Sequence, residues 1–301
     1  MLYFTGDTHG ELTMRFSYNH NSQLKALNKD DIVFILGDCG RPWFNPELKY
    51  YDNYTKPGSE KSDIYELNFL NSHPWKTVFI CGNHDNYDLI KEMPYINIGA
   101  TSCRQMMYLN KVYENIYVID KPCFWAYKDK NILIIPGAQS HDIDYILEYD
   151  DPHTKTMIKY WEKLEKLFGE IHLYRINHFS WWKEEDIDIE KTKELLEQLP
   201  KDIKIDYVLT HDAPAAVLNN WKSACAPARF KPTEGELFLE EVRKNIQYRQ
   251  WLHGHLHSWI RLPMYHTLGL YHDIISEEEL EEIIKNDEIE NKYNQLILDL
   301  K

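Results

Sequence analysis

An α/β layered fold is predicted by three features of the sequence. Short β-rich runs recur, each ending in small or polar residues. Helical patterns separate them, and glycine and proline are few, with 12 and 13 in 301 residues. A short apolar run bounded by turn formers fits a strand buried on both faces. Strands alternating with helices then build layers around a shared core.

The runs are LYFTGD (2–7), IVFILGD (32–38), TVFICGNHD (77–85), NILIIPGA (131–138), DYVLTHDAP (206–214) and QWLHGHLH (250–257). Helical patterns fall near 21–29 and at 60–71, 183–199 and 233–246. From 154 to 168, Met157, Ile158, Trp161, Leu164, Leu167 and Phe168 recur at helical spacing among lysines and glutamates, which predicts an amphipathic helix packing by that stripe. Ser276 followed by Glu279 is a capping-box pattern, expected to open a short acidic helix before a last strand at 295–300. No repeat or linker interrupts residues 1–301, which read as one domain with a C-terminal helix and strand over 276–301.

The chain carries 34 Lys and Arg against 48 Asp and Glu, a formal charge of −14. Such a balance disfavours stable binding to nucleic acid or an anionic membrane, and suits divalent cations better. The longest apolar stretches, Ile32 to Leu36 and Ile132 to Pro136, are strand-sized, far short of the roughly 20 residues that cross a bilayer. Five cysteines (Cys39, Cys81, Cys103, Cys123, Cys225) form an odd count without CxxC spacing. Neither a disulfide framework nor a thiolate zinc site is expected. The first residues, MLYFTGDTHG, lack the tripartite pattern of a signal peptide. A reduced, cytoplasmic chain is the expectation.

The chemistry concentrates at the ends of the β-rich runs. Asp7 and His9 stand in GDTHG, Asp38 in GDCG, Asn83 and His84 in GNHD, His211 in LTHD, and His255 and His257 in HGHLH. In extended backbone residues i and i+2 share a side, so Asp7 with His9, and His255 with His257, are each expected to clamp a metal. Asn83 and His84 are adjacent and must point apart, so one can bind metal while the other faces substrate. Carboxylate, imidazole and amide donors without thiolate suit borderline and hard divalent ions. Two such ions about 3.5–4 Å apart lower the pKa of a shared water and stabilise the attacking and leaving oxygens of an in-line displacement.

The ordered set D-x-H, G-D, G-N-H-D, H and G-H-x-H, running from residue 7 to 257, resembles the calcineurin-like metallophosphoesterases. The resemblance implies a β-sandwich of two mixed sheets flanked by helices, with the metal site at strand ends. It implies that Asp7, His9, Asp38 and His257 hold a first metal, and Asp38, Asn83, His211 and His255 a second. It makes His84 the general acid, oriented by Asp85. The expected cofactors are two divalent ions, Mn first, with Fe, Zn, Co or Ni as alternatives. The implied activity is hydrolysis of a phosphate mono- or diester; the other readings are a nuclease on short or single-stranded nucleic acid and a non-catalytic metal-binding scaffold. The sequence GDCGRPW departs from the G-D-x-V-D-R-G element of Ser/Thr protein phosphatases, with Arg41 in place of the second aspartate. GAQSHDID (137–144), SWWKEEDID (180–188) and THDAP (210–214) are similar to stretches of small bacterial and phage phosphoesterases.

Three residues are candidate substrate contacts: Arg41, three positions after Asp38; His141, following a strand that ends in GA, together with Asp142; and Arg229 in the loop WKSACAPARFKP (221–232). The aromatic segment 145–182 begins just after GAQSHD, and it is expected to form a cap that stacks on a nucleotide-like substrate.

Overall fold

Residues 1–45, 59–99, 101–141, 143–225 and 231–299 are described by the computed structural model. The N-terminal half contains β1 (Leu2–Thr5), α1 (Leu12–Arg15), β2 (Ile32–Ile35), α2 (Glu60–Asn71), β3 (Lys76–Ile80), α3 (Tyr87–Lys91), β4 (Tyr95–Ile98), β5 (Thr101–Tyr108), β6 (Lys111–Ile119), β7 (Cys123–Tyr127) and β8 (Lys130–Ile135). There follow β9 (Tyr145–Leu147), α4 (Thr154–Phe168), β10 (Tyr174–Ile176), α5 (Ile189–Gln198), β11 (Ile205–Thr210), α6 (Ala215–Cys225) and α7 (Glu234–Asn245). The chain closes with β12 (Tyr248–His253), β13 (Ile260–Leu262), β14 (Thr267–Gly269), β15 (Ile274–Ser276) and α8 (Glu277–Asp299).

Alternation along the strands divides their apolar residues between two faces. Leu2, Phe4, Ile32, Phe34, Val78 and Ile80 meet Ile132, Ile134, Tyr207, Leu209, Leu252 and Leu268 in one core. That core lies between a sheet of order β15-β1-β2-β3-β6-β5-β4 and a sheet of order β13-β14-β12-β11-β8-β7. The outer face of the first sheet, with Tyr3, Val33, Ile35 and Phe79, packs with Leu12, Leu67, Leu70 and Ile90 of the first three helices. On the second sheet, Leu133, Ile135, Val208 and Trp251 pack with Leu195 and Leu196 of α5 and Phe238, Leu239 and Val242 of α7. Two mixed sheets flanked by helices result, as the family resemblance implies.

Register sets where the loops emerge. β1, β2 and β3 are parallel, with Thr5 opposite Ile35 and Ile35 opposite Phe79. β8, β11 and β12 are also parallel, with Ile135 and His253 both opposite Thr210. Each group therefore releases its C-terminal loops along one edge, where α/β sheets gather ligands.

The structure differs from expectation in several elements. The strand expected at 295–300 is helix through Asp299, because α8 continues with no glycine or proline to stop it. Its start is as predicted: Ser276 N donates to Glu279 Oε2 at 2.7 Å and Glu279 N donates to Ser276 Oγ at 3.2 Å. The pattern near 21–29 is a single 3₁₀ turn, Ser22–Ala26. Strands β4 to β7 and helix α6 have no counterpart among the elements read from the sequence. Among the described residues no helix is long and apolar enough to cross a membrane.

Candidate metal centre

All seven expected ligands gather where the two strand edges meet, but not by the expected geometry. β1 ends at Thr5 and β12 at His253, before the motifs begin. His9, Asp38, His255 and His257 all have positive φ, at 45°, 48°, 64° and 46°. The i, i+2 geometry of extended backbone therefore does not hold for D-x-H and H-x-H, whose residues stand in turns, although Asp7 and His9 still meet in one group. Non-glycine residues in this region are uncommon and strained, and such strain collects at functional sites.

The motif residues divide into two groups. Ligand atoms of Asp7, His9, Asp38 and His257 lie within 4.8 Å of one another. His257 Nε2 is 3.0 Å from Asp7 Oδ2 and 2.8 Å from His9 Nε2. In the second group His211 Nε2 faces Asp38 Oδ1 at 3.2 Å and Asn83 Oδ1 at 3.1 Å. His211 Nδ1 lies 2.8 Å from Leu36 O and donates there, which fixes the ring with Nε2 toward the two oxygens. The His255 ring stands 4.9 Å from that of His211, while the His255 N–H donates to Asp7 Oδ1 at 2.9 Å. His255 and His257 thus serve opposite groups, and Asp38 stands between the groups.

This close approach is possible because of glycine. A Cβ on Gly37, whose φ is +93°, would lie 1.9 Å from His211 Nδ1.

The donors fit divalent cations. Asp7 and Asp38 are buried, and their Oδ2 atoms are buried oxygens that accept no hydrogen bond. A buried carboxylate left half-satisfied is costly unless a cation completes it. Burial opposes ionisation of Asp38, but His211, His84 and His9 outweigh it and hold the carboxyl well below its usual range. Burial would lower the His211 pKa, yet Asp38 and Asp7 raise it to about 10. The site thus favours negative oxygens with positive charge beside them.

Supporting groups explain the orientation. Asn83 Nδ2 donates to Ser140 Oγ at 3.2 Å, which turns Oδ1 toward His211. Ser140 is held in turn by its N–H, donating to Glu185 Oε1 at 2.9 Å. Burial raises the pKa of Glu185 to about 8. Sequence reading notes GAQS and SWWKEE but not this relay; the available signal was Glu185 three residues after the Trp181-Trp182 pair. Ser140→Ala is expected to weaken metal affinity by about 10–100-fold without unfolding the chain, as outer-shell changes do. Titration of the stripped protein with Mn²⁺ measures it, and unchanged affinity would remove the relay.

The remaining candidates separate. Asp85 accepts N–H groups from Gly40 at 2.8 Å and Gly82 at 2.9 Å, tying the GD and GNHD loops together. It therefore reaches His84 through the backbone it shares. Burial, followed by Asp38, raises its pKa to about 7. Arg41 is turned from the cavity: Nη1 pairs with Asp63 at 2.6 Å and Nε donates to Gly10 O at 3.1 Å. The expected phosphate contact is thereby corrected, because a buried aspartate claims the guanidinium first. Arg229 and Asp142 lie outside the described residues.

A cavity of about 520 Å³ opens on this centre, lined by Asp38, Asn83, His84, His255 and His257 among others. His141 also lines it, and so do Leu218 and Trp221 of α6 and Leu256. No described residue of 145–182 is among the lining residues. That segment's aromatics pack on one another: Trp161 lies 4.9 Å from Tyr145, 5.3 Å from His172 and 5.4 Å from Tyr174, ring to ring. Its far end docks on α3, where His178 Nδ1 and Trp182 Nε1 meet Asp88 Oδ2 at 2.9 and 3.0 Å. His253 is buried behind the site, where burial lowers its pKa to about 4.

Two mixed sheets with a carboxylate–imidazole centre at their joined edges define a metal-dependent phosphoesterase. The chain matches the calcineurin-like phosphoesterase family over residues 2–259 and belongs to it. Among solved structures it is similar to the phosphopantetheinyl hydrolase of Mycobacterium tuberculosis, at 14% identity over 90% of this chain and 87% of that one, with a TM-score of 0.44. It is also similar to the protein of unknown function AQ665 from Aquifex aeolicus, at 18% identity over 61% of this chain and 81% of that one, with a TM-score of 0.22. At these scores neither bears on substrate. No curated protein matches the chain.

Proposed function

We propose that this chain, as one unit, hydrolyses a small phosphate mono- or diester in the cytoplasm with two divalent ions. Asp7, His9, Asp38 and His257 hold one ion; Asp38, Asn83, His211 and His255 hold the other. The observation that carries this reading is the pair of buried, unsatisfied oxygens, Asp7 Oδ2 and Asp38 Oδ2, facing imidazole nitrogens. The ions, Mn²⁺ by first choice, supply Lewis acidity for the attacking water and the leaving oxygen. The protein supplies the rest. Asp38 and Asn83 are held by backbone and Ser140, so the oxygens do not reorganise during reaction. His84 stands on the cavity wall and gives its proton to the leaving oxygen. The described free cysteines, Cys39, Cys81, Cys103 and Cys123, suit a reducing compartment.

The wall of Leu218, Trp221 and Leu256 takes the organic part of the ester. A flat, nucleotide-like group gains about 1–3 kcal/mol by stacking on an aromatic. Trp221→Ala is accordingly expected to raise KM for a nucleotide ester by about tenfold and leave glycerol phosphate unchanged. Equal KM changes for both would remove Trp221 from recognition. The reading as a whole is tested by Mn²⁺-dependent hydrolysis of p-nitrophenyl phosphate and its bis ester. Activity on neither, with metal bound, would favour a scaffold.

A further inference from the structure

A second set of ligating side chains adjoins the centre and, His255 apart, has no part in the reaction above. His141, in the loop after β8, Asp212, next to His211, and His255 bring ligand atoms within 4.8 Å of one another. Glu236, in the first turn of α7, reaches the same place, with Oε1 3.2 Å from His141 Nε2. Asp212 and Glu236 are both 0% exposed. Each gives one oxygen to nearby backbone. Asp212 Oδ1 accepts from Ala213 N at 2.8 Å, and Glu236 Oε2 from Thr233 N at 2.6 Å within a capping box. Their other oxygens, Asp212 Oδ2 and Glu236 Oε1, are buried and accept no hydrogen bond.

Local structure does not require this. A capping box works as well at a solvated helix end, and a glutamine there needs no charge. Two buried carboxylates at one place are costly unless opposite charge compensates them, and one imidazolium brings only a single positive charge. A divalent ion balances both. The 3.2 Å between His141 Nε2 and Glu236 Oε1 is also close to the roughly 3.3 Å that separates two donors on one ion, given bonds of about 2.0–2.1 Å near the tetrahedral angle.

The geometry points to a third divalent-cation site, in which His141, Asp212 and Glu236 hold a transition-metal ion beside the two-metal centre. One imidazole and two carboxylates without thiolate suit Zn²⁺ or Mn²⁺ and leave a coordination position open, as in catalytic rather than closed structural sites. His141 lines the cavity, so the third site adjoins it. The His255 ring lies 5.1 Å from that of His141 and 4.9 Å from that of His211. Its two nitrogens let it adjoin both sites, and this is the one point at which the third site touches the two-metal reading.

Protein stripped with chelator and dialysed against Zn²⁺ alone, then counted by mass spectrometry, tests the site. Wild type should hold one more ion per chain than His141→Ala or Asp212→Asn, each checked for folding by circular dichroism. Asp38→Asn should lower the count without emptying the third site. Crystals of the wild-type chain soaked in Zn²⁺ give an answer independent of variant folding: an anomalous peak bounded by His141, Asp212 and Glu236. No such peak, or equal counts in wild type and a folded His141→Ala, overturns the proposal whether or not the Asp38 region fills. A peak there with none at Asp38 would support the third site and sink the two-metal reading instead.

Discussion

Asp38→Ala is expected to remove both catalytic ions and reduce turnover at least about 10³-fold, since ion-based charge stabilisation is worth several kcal/mol and each 1.36 kcal/mol is tenfold in rate. The reason is its position between the two groups. Oδ1 faces His211 at 3.2 Å, and Oδ2 lies 4.0 Å from His9 Nδ1 with no hydrogen bond of its own. Asn83→Ala, which touches only the His211 side, should cost one ion and leave the other. Metal content by mass spectrometry and turnover on p-nitrophenyl phosphate are measured together, with the thermal melt of the stripped protein as a folding check. A folded Asp38→Ala protein that retains two ions would place the bridge elsewhere. The loss should not be read as a stability effect: the substitution also removes the acceptor for His84 N at 2.7 Å, which affects the GNHD loop but not the sheets.

The strands that carry the site were legible because each is a run of buried apolar residues cut off by Gly-Asp, Gly-Asn or His-Gly. Ile32–Ile35 and Lys76–Ile80 lie within or at the edge of the runs read from the sequence. The strands stop short of the motifs: β2 ends at Ile35 before Gly37 and Asp38 turn to positive φ, and β3 ends at Ile80 before the GNHD turn. The hairpin of β5 and β6 was missed for a different reason. Its two-residue turn, Leu109 and Asn110, adopts φ of 51° and 61°. Leucine at the first position hides the Asn-Gly or Asp-Gly signal that such turns usually give. The apolar run near 296 has the length of a strand, and short runs of that kind do not distinguish strand from helix. At the site, ligand types and order were readable, whereas Ser140, Glu185 and Trp221 act through contacts far apart in sequence. Arg41 shows the converse: proximity to Asp38 in sequence suggested a phosphate contact, and buried Asp63 across the fold took the side chain.

His84→Ala is expected to keep both ions and lose rate by about 10²–10⁴-fold on a substrate with a poor leaving group, the usual value of general acid catalysis. The backbone and side chain of His84 have separate tasks. Its N–H donates to Asp38 Oδ1 at 2.7 Å, and alanine retains that bond. Asp85, fixed by Gly40 and Gly82, still holds the loop. The metal oxygens therefore stay in place, and only the imidazole on the cavity wall is lost. That imidazole stands 5.2 Å from the His9 ring, next to the metal groups yet outside both sets. The deficit should depend on the leaving group. p-Nitrophenolate departs without a proton, so its rate should fall far less than that of an alkyl phosphate. The alkaline limb of the pH–rate profile, which reports the acid, should disappear on the alkyl substrate. Metal analysis separates this outcome from ligand loss: an ion-depleted His84→Ala protein would make His84 a structural residue. Equal losses on both leaving groups with two ions retained would leave His84 as a stabiliser of transition-state charge and assign the proton to water.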